Sequence, residues 1–167
     1  SGGNIWVYSE PGQGTTFKIY LPATSEERKA AAEPVAAPAR AGGERILVVE
    51  DQQDLRRMLE RMLVRLGYQV VAAPNGEQAL ELVRQGEWQP ALVLTDVVMP
   101  GMSGVDLVSE LRRHLPELKV VFMSGYTENG MANRRVLEMK APFLQKPFTA
   151  RDLAALLDKV LGPVHDR

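Results

Sequence analysis

The sequence predicts an α/β protein with a doubly wound, five-stranded parallel sheet and helices on both of its faces. From Arg45 onward, short apolar runs alternate with amphipathic stretches, which is the pattern of parallel strands joined by crossover helices. Five such units can be counted by residue 162. The third apolar run is uninterrupted, as is typical of a strand that helices cover on both faces.

The first two units are defined by apolar runs and by helix start and stop signals. The first strand is Ile46 to Val49, and the helix after it runs from Asp54 to Leu66 and stops at a glycine. The second strand is Tyr68 to Ala72, and Asn75 caps a helix that ends near Gly86. The first helix carries its apolar stripe at Leu55, Met58, Leu59, Met62, Leu63 and Leu66.

The third and fourth units follow the same plan. The third strand is Ala91 to Thr95 and ends at Asp96, and a proline stops the next helix, Val105 to His114. The fourth strand is Val120 to Met123, and a weaker helix is predicted around Met131 to Met139.

The fifth unit is a short strand, Phe143-Leu144, followed by the last helix. Thr149 opens that helix, and Asp152 stands three positions on, as in a capping box. Gly162-Pro163 ends it. Its buried face is predicted to contain Leu153, Leu156, Leu157, Val160 and Leu161.

Composition excludes several classes of protein. Lys and Arg number 20 against 21 Asp and Glu, so nothing favours a nucleic-acid or membrane surface. The absence of cysteine excludes a disulfide scaffold and a thiolate metal site, and it fits a reducing compartment. No apolar run approaches the roughly 18 residues of a membrane span. We expect a cytoplasmic fragment of a larger protein, which could itself be membrane-anchored.

The chain is expected to contain two structured parts and a linker. Residues 1–22 alternate as a hairpin would, around a Pro-Gly turn. Residues 23–43 are dominated by Ala, Pro and Glu and are interpreted as a linker. Residues 44–162 form the α/β domain, and 163–167 are a tail. Since a lone hairpin is marginally stable, residues 1–43 are expected to be mobile.

Polar residues stand just after the predicted strands, where doubly wound sheets have their functional crevice. They are Glu50, Asp51, Asp96, Ser124 and Lys146. If the strand order is 2-1-3-4-5, the three carboxylates crowd together and repel one another unless a cation is present. Carboxylate oxygens without His or Cys select Mg²⁺ or Mn²⁺.

The other two polar groups suit phosphate oxygens, because Lys146 supplies a compact positive charge and Ser124 a hydroxyl. An aspartate between a divalent cation and a lysine is placed to act as a nucleophile toward phosphorus. Each of these residues alone could be a surface charge or a cap. Their joint occurrence at strand ends favours a phosphoryl-transfer site.

Four segments together resemble two-component receiver domains: Val48 to Asp51, Thr95 to Gly104, Met123 to Tyr126 and Lys146 to Phe148. The resemblance covers roughly Glu44 to Leu161. It implies a flavodoxin-like receiver fold with strand order 2-1-3-4-5, acting in phosphorelay signalling. The phosphoryl donor would be a phosphohistidine of a histidine kinase or phosphotransfer domain, and phosphorylation could drive homodimerisation.

The resemblance also implies a role for each site residue. Asp96 would be the phosphoacceptor, and it would hold Mg²⁺ together with Glu50, Asp51 and the Val98 carbonyl. Ser124 and Lys146 would bind the phosphoryl group. Phe143 matches the switch aromatic, with Ser124 as the other half of the switch, although packing in the core is an equally simple role for Phe143.

The N-terminal segment Ser1 to Pro22 looks like the end of a histidine-kinase ATP-binding domain. Gly12, Gln13 and Gly14 match the last glycine box of that family. The rest of the ATP site and the phosphorylated histidine are missing, so this segment is expected to bind no nucleotide. The resemblance implies a hybrid sensor kinase as the parent protein.

Other functions fit the sequence less well. A phosphatase of the haloacid-dehalogenase type requires a second Asp two residues after the first, and Val98 occupies that position here. A flavin or nucleotide binder needs a Gly-, Ser- or Thr-rich loop after the first strand, where Glu50 and Asp51 would repel phosphate. A DNA-binding regulator needs an output domain, for which the five residues after Gly162 leave no room. A degenerate docking receiver would lack some of the five polar residues.

The lifetime of the phosphoryl group is expected to be long. Val98 offers no group that could orient an attacking water. Tyr126 could shield the phosphoryl group or hold a water, and the sequence leaves both alternatives open.

Overall fold

A computed structural model describes residues 4–10, 12, 14–20, 43–86, 88–125 and 139–162. The chain divides into two compact units, residues 1–35 and 36–167. None of the described helices combines the length and the apolar character that crossing a membrane requires.

The N-terminal unit contains the predicted antiparallel strand pair. Strand β1 spans Asn4–Glu10 and strand β2 spans Gly14–Tyr20. In the register of this pair, Ile5 lies opposite Ile19, and Val7 lies opposite Phe17. All four side chains are more than half exposed within the described structure.

The second unit contains a five-stranded parallel sheet. Its strands are β3 Arg45–Val49, β4 Gln69–Ala73, β5 Leu92–Asp96, β6 Lys119–Ser124 and β7 Phe143–Gln145. They lie in the order β4-β3-β5-β6-β7, and every neighbouring pair is parallel. Counted from the first strand of this unit, the order is 2-1-3-4-5, which confirms the predicted fold class.

Four helices are described in this unit: α1 Gln53–Arg65, α2 Gly76–Arg84, α3 Gly104–His114 and α4 Ala150–Leu161. Their bounds agree with the predicted ones to within about two residues. The helix predicted around Met131 to Met139 lies, apart from Met139 itself, outside the described residues.

The helix starts show why local sequence determines these elements. The Asn75 side chain accepts a hydrogen bond from the Gln78 backbone N–H at 2.9 Å. Thr149 and Asp152 form the predicted capping box, in which each side chain accepts from the other's backbone N–H. These bonds satisfy N–H groups that have no partner within the helix.

The core lies on both faces of the sheet. Because side chains alternate along a strand, Leu47 and Val49 of β3 pack with α2 and α3, whereas Ile46 and Val48 pack with α1 and α4. One predicted core position is wrong: Met58 is 38% exposed, while its neighbour Leu59 is fully buried. Met58 lies at the edge of the apolar stripe of α1, beyond the part that the sheet covers.

Candidate functional site

The carboxyl ends of four adjacent strands bring the predicted polar residues together. Glu50 follows β3, Asp96 ends β5, Ser124 ends β6 and Lys146 follows β7. Backbone bonds continue the sheet past the strand ends, including one from the Lys146 N–H to the Ser124 carbonyl at 2.8 Å. The crevice predicted from the strand order is therefore present.

Three carboxylates cluster at this edge. Glu50, Asp51 and Asp96 each offer an oxygen, and these oxygens lie within 4.8 Å of one another. Glu50 is fully buried and Asp96 is 4% exposed, whereas Asp51 is exposed. The cluster offers only hard oxygen donors, so it fits a small divalent cation such as Mg²⁺ better than a metal that prefers nitrogen or sulfur ligands.

Lys146 reaches into this cluster from the end of β7, which is separated from β5 by β6. Its ammonium group donates to Glu50 Oε2 at 2.9 Å and to Asp96 Oδ2. The side chain is mostly buried, so these ion pairs are screened less by water than surface pairs are. Lys146 thus offsets part of the repulsion between the two buried carboxylates.

The pKa values of Glu50 and Lys146 are both raised, but for different reasons. Burial raises the pKa of Glu50 most, and the negative charge of Asp96 adds to this, while Lys146 partly opposes both. Burial alone would lower the pKa of Lys146, but its hydrogen bonds to Asp96 and Glu50 and their charges raise that pKa above its ordinary value. Lys146 therefore stays positively charged at neutral pH.

The remaining predicted site residues lie around this cluster. The Val98 backbone N–H donates to Asp96 Oδ1 at 3.3 Å, and the Val98 side chain is half exposed beside the site. The Ser124 hydroxyl is buried and donates to the Gly125 carbonyl at 3.3 Å. Phe143 is 40% exposed, so the alternative that it is simply a core residue is wrong.

Two residues that shape the site were not predicted. Arg56 Nη1 donates to the backbone carbonyls of Glu50 at 2.6 Å and Asp51 at 3.2 Å. A Cβ atom placed on Gly104 would stand 2.0 Å from the Asp96 carbonyl oxygen, so only glycine fits there. The sequence contained a signal for Gly104, because glycine is unfavourable within a helix and its presence in the first turn of α3 indicates a close approach of another group. It contained no such signal for Arg56, which is one of four arginines on α1.

Comparison with known families identifies the domain that carries this cluster. Residues 46–158 match the response regulator receiver domain family. The chain belongs to that family. The match covers the whole sheet apart from its first residue, and it includes Glu50, Asp51, Asp96, Ser124 and Lys146.

Two relatives from Brucella abortus place this receiver among known proteins. The response regulator receiver protein CpdR is 36% identical over 117 residues, covering 70% of this chain and 96% of CpdR. The sensor kinase CckA is 39% identical over an alignment of 169 residues, covering 96% of this chain. The chain spans only 18% of that kinase.

Solved structures agree with this assignment. A response regulator receiver domain protein from Clostridium thermocellum superposes with a TM-score of 0.63 at 27% identity, covering 71% of this chain and 94% of that one. The chemotaxis protein CheY4 of Vibrio cholerae, at 24% identity and a TM-score of 0.62, shares the fold. Receivers accept phosphoryl groups in two-component signalling from histidine kinases, and this chain is a receiver of that class.

Proposed function

We propose that Asp96 is the residue that receives the phosphoryl group, and that the donor is a phosphohistidine of a histidine kinase or phosphotransfer domain. The observation that carries this proposal is that the Asp96 carboxylate contacts the Lys146 ammonium group and also belongs to the cluster that it forms with Glu50 and Asp51. A nucleophile in that position has a fixed positive charge beside it and belongs to a cluster that can bind a cation.

Mg²⁺ is the cation that this cluster suits best, with Mn²⁺ as an alternative. Glu50, Asp51 and Asp96 would hold it, together with the Val98 carbonyl. When bound, the cation supplies positive charge next to the oxygens of the transferring phosphoryl group.

In the transfer step, an Asp96 carboxylate oxygen forms a bond to phosphorus while the bond between phosphorus and the histidine nitrogen breaks. The ring nitrogen takes up a proton and leaves as neutral imidazole. Lys146 holds Asp96 in place and neutralises negative charge that develops on the phosphoryl oxygens. The Ser124 hydroxyl donates a hydrogen bond to one of those oxygens.

Phosphorylation then changes the surface around β6 and β7. Ser124 is buried at the end of β6, and Phe143 is exposed on the neighbouring strand. When Ser124 turns its hydroxyl toward the phosphoryl group, the Phe143 ring moves to a more buried position and alters the surface that partners meet. Dimerisation on phosphorylation stays a prediction, which size-exclusion chromatography of the phosphorylated chain tests.

The parent protein is proposed to be a cytoplasmic or membrane-anchored hybrid sensor kinase with this receiver in the cytoplasm. The alignment with the sensor kinase CckA covers 96% of the chain and so includes most of residues 1–43, which a receiver does not need. This supports the proposal that residues 1–22 end a kinase ATP-binding domain and that residues 23–43 link it to the receiver.

Intact-mass measurement after addition of acetyl phosphate, with and without Mg²⁺, tests the role of Asp96. We expect one phosphoryl group to be gained only with Mg²⁺, and none by Asp96→Asn. Asp54→Asn is the matched control, because it removes an exposed carboxylate on α1 and should leave the gain unchanged. Phosphorylation of Asp96→Asn at the wild-type rate would exclude Asp96 as the acceptor.

A further inference from the structure

Arg56 binds the backbone of the loop that carries two of the three clustered carboxylates. It lies in the first turn of α1. Its Nη1 donates at 2.6 Å to the Glu50 carbonyl and at 3.2 Å to the Asp51 carbonyl. The side chain is half-buried, whereas the next residue, Arg57, is exposed.

Other hydrogen bonds hold the ends of the loop from Glu50 to Gln52, including one from the Arg56 backbone N–H to the Gln52 carbonyl at 2.9 Å. The Glu50 N–H bonds to the Ala73 carbonyl at 3.2 Å, and the Gln52 N–H donates to Glu50 Oε1 at 3.2 Å. Gln52 is the N-cap of α1, but its side chain makes no capping bond. Among these described bonds, those to the Glu50 and Asp51 carbonyls come from the Arg56 side chain.

A guanidinium group suits this task. It is planar, always charged and presents donors in a fixed geometry, so one nitrogen can hold two successive carbonyl oxygens at set positions. A charge-assisted bond of 2.6 Å is short and strong for its kind. Fixing both carbonyls constrains φ and ψ of Asp51, and with these the direction in which the Asp51 side chain leaves the chain. Holding the Glu50 carbonyl also fixes the orientation of the peptide plane next to the Glu50 side chain.

We propose that Arg56 is a positioning residue for the divalent-cation site: it orients Glu50 and Asp51 through their backbone carbonyls without touching the cation or the phosphoryl group. This inference rests on the proposed function of the cluster as a Mg²⁺ site. Residues that orient metal ligands typically change metal affinity about 10–100-fold when replaced. Arg56 acts through the backbone, so the effect should lie near the lower value, about tenfold.

Calorimetric titration of the whole chain with MgCl₂, without a phosphoryl donor, measures this directly. Arg56→Ala should bind Mg²⁺ about tenfold more weakly than wild type. Arg56→Lys, which keeps the charge and can reach one carbonyl, should recover part of the affinity. Arg57→Ala is the matched control, because it removes the same charge one residue away and should bind Mg²⁺ as wild type does.

Phosphorylation by acetyl phosphate at varied Mg²⁺ gives a second readout. For Arg56→Ala, the Mg²⁺ concentration at half-maximal rate should rise by the same factor, while the rate at saturating Mg²⁺ stays within about twofold of wild type. If Arg56→Ala fails to fold, Arg56→Gln takes its place, and it must bind Mg²⁺ more weakly than Arg57→Ala does.

Equal Mg²⁺ affinity in the Arg56 and Arg57 variants would overturn the proposal. So would a loss of thermal stability with unchanged Mg²⁺ affinity, because that combination is the signature of a purely structural residue. If wild type binds Mg²⁺ but acquires no phosphoryl group, the proposed function of Asp96 fails, and the titrations still decide the role of Arg56.

Discussion

Glu50 is a fully buried carboxylate whose ionisation the metal-free fold opposes. Burial raises its pKa above the ordinary value of 4.5, so the folded protein binds a proton at Glu50 more tightly than the unfolded chain does. The resulting stability is fully present below about pH 4.5 and is lost as pH rises through the raised pKa. With EDTA present to remove divalent cations, the free energy of unfolding should therefore fall more in wild type than in Glu50→Gln as pH rises from about 4.5 through the raised pKa of Glu50.

Urea denaturation at a series of pH values measures this difference. Lys146 does not titrate in the same window, because its pKa is raised from an ordinary value of 10.5. Val64→Asn, an exposed change on α1 that alters no ionisable group, is the control and should keep the wild-type pH dependence. If the free energy of unfolding depends on pH in the same way in wild type and Glu50→Gln, the fold does not oppose ionisation of Glu50.

Gly104 sets how closely α3 approaches the backbone of Asp96. In Gly104→Ala the new methyl group would meet the Asp96 carbonyl oxygen at 2.0 Å, so the backbone must shift. We expect a loss of about 1–3 kcal/mol in the free energy of unfolding, as for overpacked cores. Because a 1 Å displacement of a reacting group can cost about 100-fold, phosphorylation should slow by at least about tenfold.

Gly86→Ala separates these two effects. Gly86 has φ +75° and open space around it, so alanine there costs backbone strain of about 1–2 kcal/mol without a clash. That variant should lose stability and keep the wild-type phosphorylation rate. A normal phosphorylation rate in Gly104→Ala would mean that α3 adjusts without moving Asp96.

Val98 borders the site with half of its side chain exposed, and it offers no polar group to a water near the phosphoryl group. Val98→Asn adds an amide that can orient such a water. We expect hydrolysis of the aspartyl phosphate to accelerate about tenfold, below the roughly 100-fold of a true general base, because an amide accepts no proton.

The decay of radiolabelled protein under equal Mg²⁺ measures the lifetime, and Val64→Asn on the exposed face of α1 is the control. An unchanged decay rate in Val98→Asn would leave the lifetime to another feature. Tyr126, the other residue that the sequence places beside the phosphoryl group, lies outside the described residues, so both of its predicted roles, shielding the phosphoryl group or holding a water, stay open.

The sequence predicted the residues of the site that stand at strand ends and missed those that act through backbone contacts. Asp96 and Lys146 could be found because parallel strands bring their carboxyl ends to one edge. Arg56 could not, since its role depends on where the turn after β3 directs two carbonyls. That geometry is a property of the folded loop, which residue spacing does not encode.

At the scale of elements, the sequence predicted the helices best where a cap gives a local signal. Thr149 and Asp152 define the start of α4 within the chain itself, with no need of tertiary structure. Burial was harder to predict. Met58 belongs to the apolar stripe of α1 but is exposed, because the width of the stripe that the sheet covers is set by packing.

Removal of the α4 cap tests how much this local signal stabilises the domain. In Thr149→Ala the Asp152 backbone N–H loses its acceptor, which should cost about 1 kcal/mol in the free energy of unfolding. Ser109→Ala is the control: its hydroxyl bonds the Val105 carbonyl within α3, and its loss should change stability by less than about 0.5 kcal/mol. Urea denaturation near pH 7 compares the variants.

The pH dependence of the same variants adds a check. The hydrogen bonds from Thr149 to the Asp152 carboxylate lower the pKa of Asp152 below its ordinary value of 3.8. Their contribution to stability is present above that pH and is lost as pH falls through the lowered pKa. The difference between wild type and Thr149→Ala should therefore shrink in strong acid, and a constant difference would contradict the capping box.

At the scale of the whole molecule, one continuous range of residues supplies both the core and the site of the receiver. Both core clusters are formed by residues between Ile46 and Leu161, and every proposed site residue lies in the same range. The strand pair β1–β2 belongs to a separate compact unit. Its apolar residues, including Ile5 and Phe17, stay exposed in the described structure.

A chain of residues 44–162 should therefore fold and accept a phosphoryl group as the whole chain does. Both clusters and the site remain intact in it, so we expect its free energy of unfolding to agree with that of residues 1–167 within about 0.5 kcal/mol, the range of changes that break no packing. Its phosphorylation rate and Mg²⁺ affinity should be unchanged.

Denaturation of both chains at equal pH and Mg²⁺, with hydrogen exchange of residues 4–20 in the longer chain, makes the comparison. Low protection of those amides together with equal stability fits an independent receiver, since a lone strand pair is marginal. A loss above about 1 kcal/mol on truncation, with protected amides in residues 4–20, would instead show that the N-terminal segment docks on the receiver and stabilises it.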